Sequence, residues 1–459
     1  MSVQVVILAA GQGKRMKSSL PKVLHCLAGI PLIEHVLKTA ARVSTKPPIL
    51  IYGHEGERLQ QAVANYNLTW VEQAEQLGTG HAMLQAMPFV SSEDHVLILC
   101  GDVPLISEKT LQRLIETTSK DQVGLITANL SQPFGYGRII RDAQNRVTNI
   151  VEEKDASETE RAIKEINTSI YLIPCGKLKA WLPKIKNHNG QQEYYLTDII
   201  PLALKEGVVI HTIQPECEEE ILGVNDKIQL ANLERFYQAK MVKSLMLQGV
   251  TFYDPARVDI RGDITIGRDV TIDVNVILEG KVIIGDGCCI GPYCLLKNST
   301  LGEEVEIKSH SIVDGAIIGT RSRIGPFARL RPETELAEDV HIGNFVEVKK
   351  TKIAKGSKAN HLTYLGDCEI GQDVNVGAGV ITCNYDGVNK HKTFIADDAF
   401  IGSGTQLVAP VGIGAGATIG AGSTITKDAP AHQLTLSRAP QQTVENWQRP
   451  QKIKMKENR

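Results

Sequence analysis

Residues 395–425 read IADDAF-IGSGTQ-LVAPVG-IGAGAT-IGAGST-I, which spaces Ile395, Ile401, Leu407, Ile413, Ile419 and Ile425 six positions apart. Working outward, the same spacing returns in Ile318, Ile324, Leu330, Leu336, Ile342 and Val348. It returns again in Ile260, Ile266, Ile272, Leu278, Ile284, Ile290 and Leu296. A helix repeats about every 3.6 residues and an isolated strand every 2, so neither accounts for this period. A solenoid of short parallel strands does: each coil takes three six-residue sides and turns an aliphatic residue inward at each. The spacing slips by one between Leu296 and Leu301, which a corner absorbs. Two stretches break the pattern more seriously: the polar, basic residues 351–364, and residues 383–392 (CNYDGVNKHK), which lack an aliphatic anchor. Interruptions of a regular scaffold are expected to be loops, and loops carry function.

The first half of the chain reads differently. Apolar runs at residues 3–10, 48–52, 95–100 and 123–128 predict buried strands, and helical spacing at 31–42 and 110–118 predicts helices between them. Such alternation implies an α/β domain, a Rossmann-like and mainly parallel sheet with helices on both faces. Ligands then sit beyond the carboxyl ends of the strands, in the loops after Ala10 and Cys100. Leu230, Leu233, Tyr237, Met241 and Leu245 keep helical spacing up to Gly249, which suits a C-terminal stop. The expected organisation is therefore a nucleotide-handling domain at 1–225, a linker helix at 226–250, and a solenoid domain with its tail at 251–459. The tail from residue 441 is polar and basic (Lys452, Lys454, Lys456, Arg459) and is expected to be mobile.

With 459 residues the chain is too long for one core. A formal net charge of −2 gives no global field for nucleic acid or membrane. Nine cysteines, an odd number without a C-x-x-C pair, are expected to be reduced thiols, Cys288 and Cys289 pointing to opposite faces. The first ten residues lack a basic start and a long apolar run, so no signal peptide is expected, and the chain is expected to be soluble and cytoplasmic.

Two constellations carry chemistry. In the first, Leu8-Ala9-Ala10-Gly11-Gln12-Gly13-Lys14-Arg15-Met16 follows a strand, and small residues there let backbone amides approach phosphate oxygens. The third glycine of a dinucleotide fingerprint is missing, as is a P-loop Gly-Lys-Ser/Thr. Arg15 and Lys22 add the two cations that a triphosphate and its departing pyrophosphate require. Asp102, at the end of a buried strand, offers a hard oxygen suited to Mg²⁺ or a cap for the next turn. Gln73, Gly78 and Thr79 could read a base edge. In the second, His361 sits among the residues that break the coil period, after Lys349, Lys350, Lys352, Lys355 and Lys358. A neutral imidazole can take the proton that an ammonium must lose before it attacks an acyl group. Arg331 and Lys349 are the stronger phosphate candidates.

LAAGQGKRM (8–16), PKVLH (21–25), QAEQLGTGHA (73–82), GDVPL (101–105), GYGR (135–138), EINTS (165–169) and EYYLTDII (193–200) resemble the sugar-1-phosphate nucleotidyltransferases. Joined to the coils, they resemble the family of bifunctional bacterial N-acetylglucosamine-1-phosphate uridyltransferases and glucosamine-1-phosphate acetyltransferases. That resemblance implies a left-handed parallel β-helix of hexapeptide repeats behind the nucleotidyltransferase domain. It implies that Leu8, Ala9, Ala10, Gly11, Gln73, Gly78, Thr79, Cys100 and Gly101 bind the uridine nucleotide. Arg15 and Lys22 would hold the phosphates, Asp102 and Asn225 would carry Mg²⁺, and Gly137, Glu152 and Asn167 would hold sugar and ribose. Arg331, Lys349, Tyr364 and Asn375 would bind glucosamine-1-phosphate, with His361 as the base. Ala378, Ser403, Ala421 and Arg438 would line an acetyl-CoA groove, joined by Asn384 and Tyr385, which also face the sugar. UTP and acetyl-CoA would be co-substrates, and the assembly a homotrimer with acetyl-transfer sites between subunits. Three positions depart from the family: Lys14 where Thr is frequent, Cys100 where Tyr is common, and Ser169 where Gly is common. None removes a proposed ligand, so tuning is expected. Two other readings remain open: a single-activity nucleotidyltransferase whose coils only oligomerise, and a non-enzymatic scaffold.

Overall fold

The structure, a computed structural model, describes residues 1–53 and 55–452. Lys454, Lys456 and Arg459 of the basic tail lie outside the described residues. The chain divides into two compact units, Met1–Lys243 with Ile260–Gly262, and Ser244–Asp259 with Asp263–Arg459.

The first unit is built on a sheet whose strands run in the order Ile210–Ile213, Val123–Asn129, Glu165–Pro174, His95–Cys100, Val3–Leu8, Ile49–Tyr52, Thr69–Glu72. Val3–Leu8 pairs in parallel with both neighbours, Ile49–Tyr52 and His95–Cys100. Glu165–Pro174 is antiparallel to its neighbours. Side chains alternate across the sheet: Val6, Ile98 and Tyr171 enter one core, while Ile7, Leu97 and Leu172 enter the other. Burial on both faces explains why these strands read as unbroken apolar runs. The helix Leu32–Val43 buries Leu32, Ile33, Val36, Leu37 and Ala40, a stripe at helical spacing. Glu165–Pro174 was not legible as a strand, because Asn167, Thr168 and Ser169 interrupt its apolar pattern and the register shifts between Asn167 and Tyr171.

The expected connecting helix spans Lys227–Leu247. Its Leu233 is buried with Met16, Leu27, Leu32, Leu105 and Val224, inside the first unit.

The second unit is a parallel β-helix. Each inward residue pairs with its counterpart one coil on: Leu278 with Leu296, Leu330 with Val348, Ile395 with Ile413. Leu330, Val348, Leu365, Ile401, Leu407 and Ile419 are fully buried, so the six-residue period is the core of the prism. Ile266, at the end of the strand Val258–Ile266, is only half-buried. Cys288 is buried and Cys289 exposed, as a strand requires, and all nine cysteines are free.

The two expected interruptions have different outcomes. Residues 351–364 do not break the coil: Lys352–Ile353, Lys358–His361 and Tyr364–Gly366 continue the walls in register. Ile353, Ala359 and Leu365 point inward there. The pattern was hidden because the step from Val348 to Ile353 is five and the next anchor is an alanine. Residues 383–392 are an insertion. Ile370 pairs with Ile395, 25 positions on, whereas Ile353 pairs with Ile370, 17 on. The extra residues fold out as a loop closed by an antiparallel bridge between Tyr385 and Lys390.

Candidate active sites

The carboxyl ends of Val3–Leu8 and His95–Cys100 lie side by side, with Leu8 paired to Cys100. The glycine loop and Asp102 therefore leave the sheet at one place. They border a cleft of about 470 Å³. Leu8, Ala9, Ala10, Gly11 and Lys22 line it, with Gln73, Gly78, Thr79, Cys100 and Asp102. Gly13 has φ +60°, and a Cβ there would stand 2.7 Å from Lys22 Cβ. That glycine lets the basic side chain lie against the loop.

Lys22 forms an ion pair with Asp102, and its Nζ lies 3.2 Å from Asn225 Oδ1. Arg15 Nη2 donates to the same oxygen at 2.9 Å. The Val224 amide donates to the Asp102 carbonyl at 2.9 Å, which fixes the loop carrying Asn225 against the strand end. Two cations and two oxygen donors from three distant segments thus converge. Among the described residues no group of three or more His, Cys, Asp or Glu could hold a metal. The Asp102–Asn225 pair nevertheless suits Mg²⁺, which takes one or two protein oxygens and completes its shell with water and phosphate.

Gly137, Glu152 and Asn167 form a neighbouring group. The Asn167 amide donates to the Gly137 carbonyl at 2.8 Å, and a Cβ on Gly137 would lie 3.3 Å from a Glu152 carboxylate oxygen. Burial raises the Glu152 pKa above the usual carboxylate range, against a hydrogen bond from Thr197 at 3.3 Å. Burial, and then the charge of Asp102, push the Cys100 thiol up to about 12, so it stays protonated and is no nucleophile. Gln76 was not singled out from the sequence. Its Nε2 donates to the Ala10 carbonyl at 2.7 Å and braces the glycine loop. The repeated amide in QAEQ was the available signal.

On the prism, the backbone stacks one corner into a column. Gly379 N donates to the His361 carbonyl (3.3 Å), Gly404 N to Ala378 (2.7 Å) and Gly422 N to Ser403 (2.8 Å). Arg438 Nη1 donates to the Ala421 carbonyl at 2.9 Å. His361, Ala378, Ser403, Ala421 and Arg438 therefore follow one another along a single edge. With coils about 4.8 Å apart, the edge from His361 to Ala421 spans about 14 Å. The His361 ring is exposed and has no hydrogen-bond partner among the described residues.

Arg331 and Lys349 occupy successive coils, the Arg331 amide donating to the Val348 carbonyl at 2.8 Å. Arg331 also pairs with Glu347 at 2.9 Å. The Lys390 ammonium, from the inserted loop, lies close to Lys349 and, with burial and the nearby Arg331 charge, holds the Lys349 pKa below its usual value. Asn384 donates to Asp367, whose charge also acts on Lys349. The Tyr364 hydroxyl lies over Gly366, the coil partner of Lys349. Asn375 is not in this group; it sits on another wall, between Lys358 and Phe400. Lys390 was not singled out from the sequence, where it is one polar residue of the stretch 383–392. A larger groove, about 920 Å³, runs past Ala337, Ala354, Phe394 and Ala431 and contains none of these residues.

A phosphate-handling α/β unit and a hexapeptide-repeat unit with its own imidazole define a chain of two transferase modules. Residues 5–163 match the MobA-like NTP transferase domain, 260–359 the GMPPB C-terminal domain, and 392–427 the bacterial transferase hexapeptide (six repeats). The chain is 55% identical over 454 residues to the bifunctional protein GlmU of Acinetobacter baumannii (strain AYE), covering 99% of this chain and 100% of that one. It is 55% identical to bifunctional GlmU of Methylococcus capsulatus, covering 99% of each, and 54% to that of Janthinobacterium sp., covering 98% and 100%. The chain belongs to the family of bifunctional GlmU proteins, enzymes that join a uridyltransferase to an acetyltransferase. A solved UDP-glucose pyrophosphorylase complexed with UDP-glucose aligns over 52% of this chain and 100% of its own at 15% identity, with a TM-score of 0.43.

Proposed function

We propose that the prism acetylates glucosamine-1-phosphate with acetyl-CoA, and that the cleft of the first unit then joins the product to the uridylyl group of UTP. Residues 1–225 do the second job, 226–250 link, and 251–459 do the first. In the cleft, a phosphate oxygen of N-acetylglucosamine-1-phosphate bonds to the α-phosphorus of UTP while the bond to the departing pyrophosphate breaks. A phosphate dianion is already a nucleophile, so no general base is needed and catalysis is positioning and charge neutralisation. Arg15 and Lys22 neutralise the triphosphate, Gln73, Gly78 and Thr79 seat the base, and Gly137, Glu152 and Asn167 seat sugar and ribose. Asp102 and Asn225 would hold Mg²⁺, which when bound neutralises charge on the transferring group.

On the prism, Arg331, Lys349 and Tyr364 hold the sugar phosphate and the His361 imidazole takes a proton from its ammonium. The freed amine forms the N–C bond to the acetyl carbon, the C–S bond breaks, and the thiolate is protonated. The acetyl-CoA arm lies along Ala378, Ser403 and Ala421, with Arg438 toward its phosphates and Asn384 and Tyr385 near the sugar. Asn375 stands on a different wall from Arg331, which favours a trimer in which a neighbouring copy completes each acetyl-transfer site.

The observation that supports two sites best is that the cation–oxygen cluster at Asn225 and the column at His361 belong to different units. The test is Asp102→Ala and His361→Ala in the full-length chain. Asp102→Ala is expected to lose at least about 100-fold in pyrophosphate release while keeping acetyl transfer. His361→Ala is expected to do the reverse. Joint loss of both activities in a folded variant would reject independent sites.

A further inference from the structure

Ser169 lies inside the strand Glu165–Pro174, half-buried on the wall of the 470 Å³ cleft. Its φ is +61°. That is the left-handed region, where an L side chain crowds the backbone and glycine is the ordinary occupant. No turn requires it; the strand's register with Val123–Asn129 shifts at this point instead. The backbone is held on both sides, by donation of the Ser169 amide to Asn167 Oδ1 at 3.0 Å and of the Cys100 thiol to the Ser169 carbonyl at 3.9 Å. The hydroxyl has no hydrogen-bond partner among the described residues. The hydroxyl is thus held on the cleft wall with its hydrogen-bonding capacity open to a ligand.

Its place narrows the ligand. Ser169 stands between Asn167, which groups with Gly137 and Glu152, and Cys100, two residues before Asp102. Gln73, Gly78 and Thr79 follow the strand Thr69–Glu72, four strands along the sheet from Glu165–Pro174. Those residues line the same cleft, but it is a molecule reaching from the Asp102–Lys22 pair to Asn167 that passes Ser169. A serine hydroxyl both donates and accepts, which suits a sugar hydroxyl or acetamido group. We infer that Ser169 binds the acceptor sugar of N-acetylglucosamine-1-phosphate through its hydroxyl, an assignment that rests on the cleft being the uridyl-transfer site.

Ser169→Ala removes the hydroxyl, and Ser169→Gly removes it while relaxing the backbone, so the pair separates contact from strain. Steady-state pyrophosphate release in the full-length chain is expected to give a KM for N-acetylglucosamine-1-phosphate raised about tenfold in both variants, one hydrogen bond's worth. KM for UTP and the rate of acetyl transfer should stay at wild-type values. Wild-type KM for the sugar phosphate in both variants, or a change confined to UTP, overturns the inference. A wild-type protein that releases no pyrophosphate from these substrates would instead reject the underlying assignment of the cleft.

Discussion

Glu152 has a consequence that can be measured. Burial raises its pKa in the folded chain, so the native state favours the protonated form relative to the unfolded one. The stability this carboxyl contributes is whole below its unfolded pKa and is lost as pH rises through the raised native value. Glu152→Gln cannot ionise and can still meet Thr197. Its Tm should match wild type near pH 4 and exceed it near pH 8, as followed by thermal denaturation at both pH values. An equal difference at both would mean that the carboxyl ionises normally. Glu152 and Asn167 were legible only through a family resemblance. In composition they are an ordinary acid and an ordinary amide, and only the fold brings them together beside Gly137.

At the scale of elements, the inserted loop 383–392 does what the regular coils do not. A coil of constant rise places Arg331 and Lys349 one above the other but adds no third cation. The longer step from Ile370 to Ile395 frees enough chain for Lys390 to turn back onto Lys349. Glu347 offsets Arg331 and Asp367 acts on Lys349, so Lys390 leaves the group with one more cation than carboxylates, which suits an anionic ligand. Lys390→Ala should raise KM for glucosamine-1-phosphate about 3- to 10-fold in acetyl transfer, the range for a partly exposed charged contact. Pyrophosphate release should be unchanged. Unaltered acetyl-transfer kinetics would reduce the loop to a surface excursion. The absence of an aliphatic anchor announced this insertion correctly, whereas the polar stretch 351–364 suggested one where none exists. An alanine at 359 fills an inner corner, and a five-residue side carries the coil past it.

At the scale of the molecule, the boundary between the units falls within the helix Lys227–Leu247, and Ile260–Gly262 belongs with the first unit although the solenoid surrounds it in sequence. Gln238 explains the attachment. Its side-chain Nε2 donates to the Ile260 carbonyl at 2.7 Å and its Oε1 accepts from the Ile260 amide at 2.8 Å, both buried. A fragment ending at Lys243 loses both hydrogen bonds, at a net cost of about 1–3 kcal/mol. Residues 1–262 should therefore be more stable to urea than residues 1–243 by about that amount, and equal midpoints would reject this role for Gln238. Among the described residues no helix is long and apolar enough to cross a membrane.

The sequence by itself determined the solenoid, the mainly parallel sheet and the connecting helix, because each is encoded in side-chain periodicity over neighbouring residues and each period answers to local backbone geometry. It also located the glycine loop and the strand-end aspartate. Only the tertiary structure decided how Arg15 and Lys22 meet Asn225, more than 200 positions away. The same holds for the column from His361 to Arg438 and for the strain at Ser169. Those arrangements depend on strand order and on how many residues each coil takes, quantities set by packing across the whole unit and absent from any local pattern.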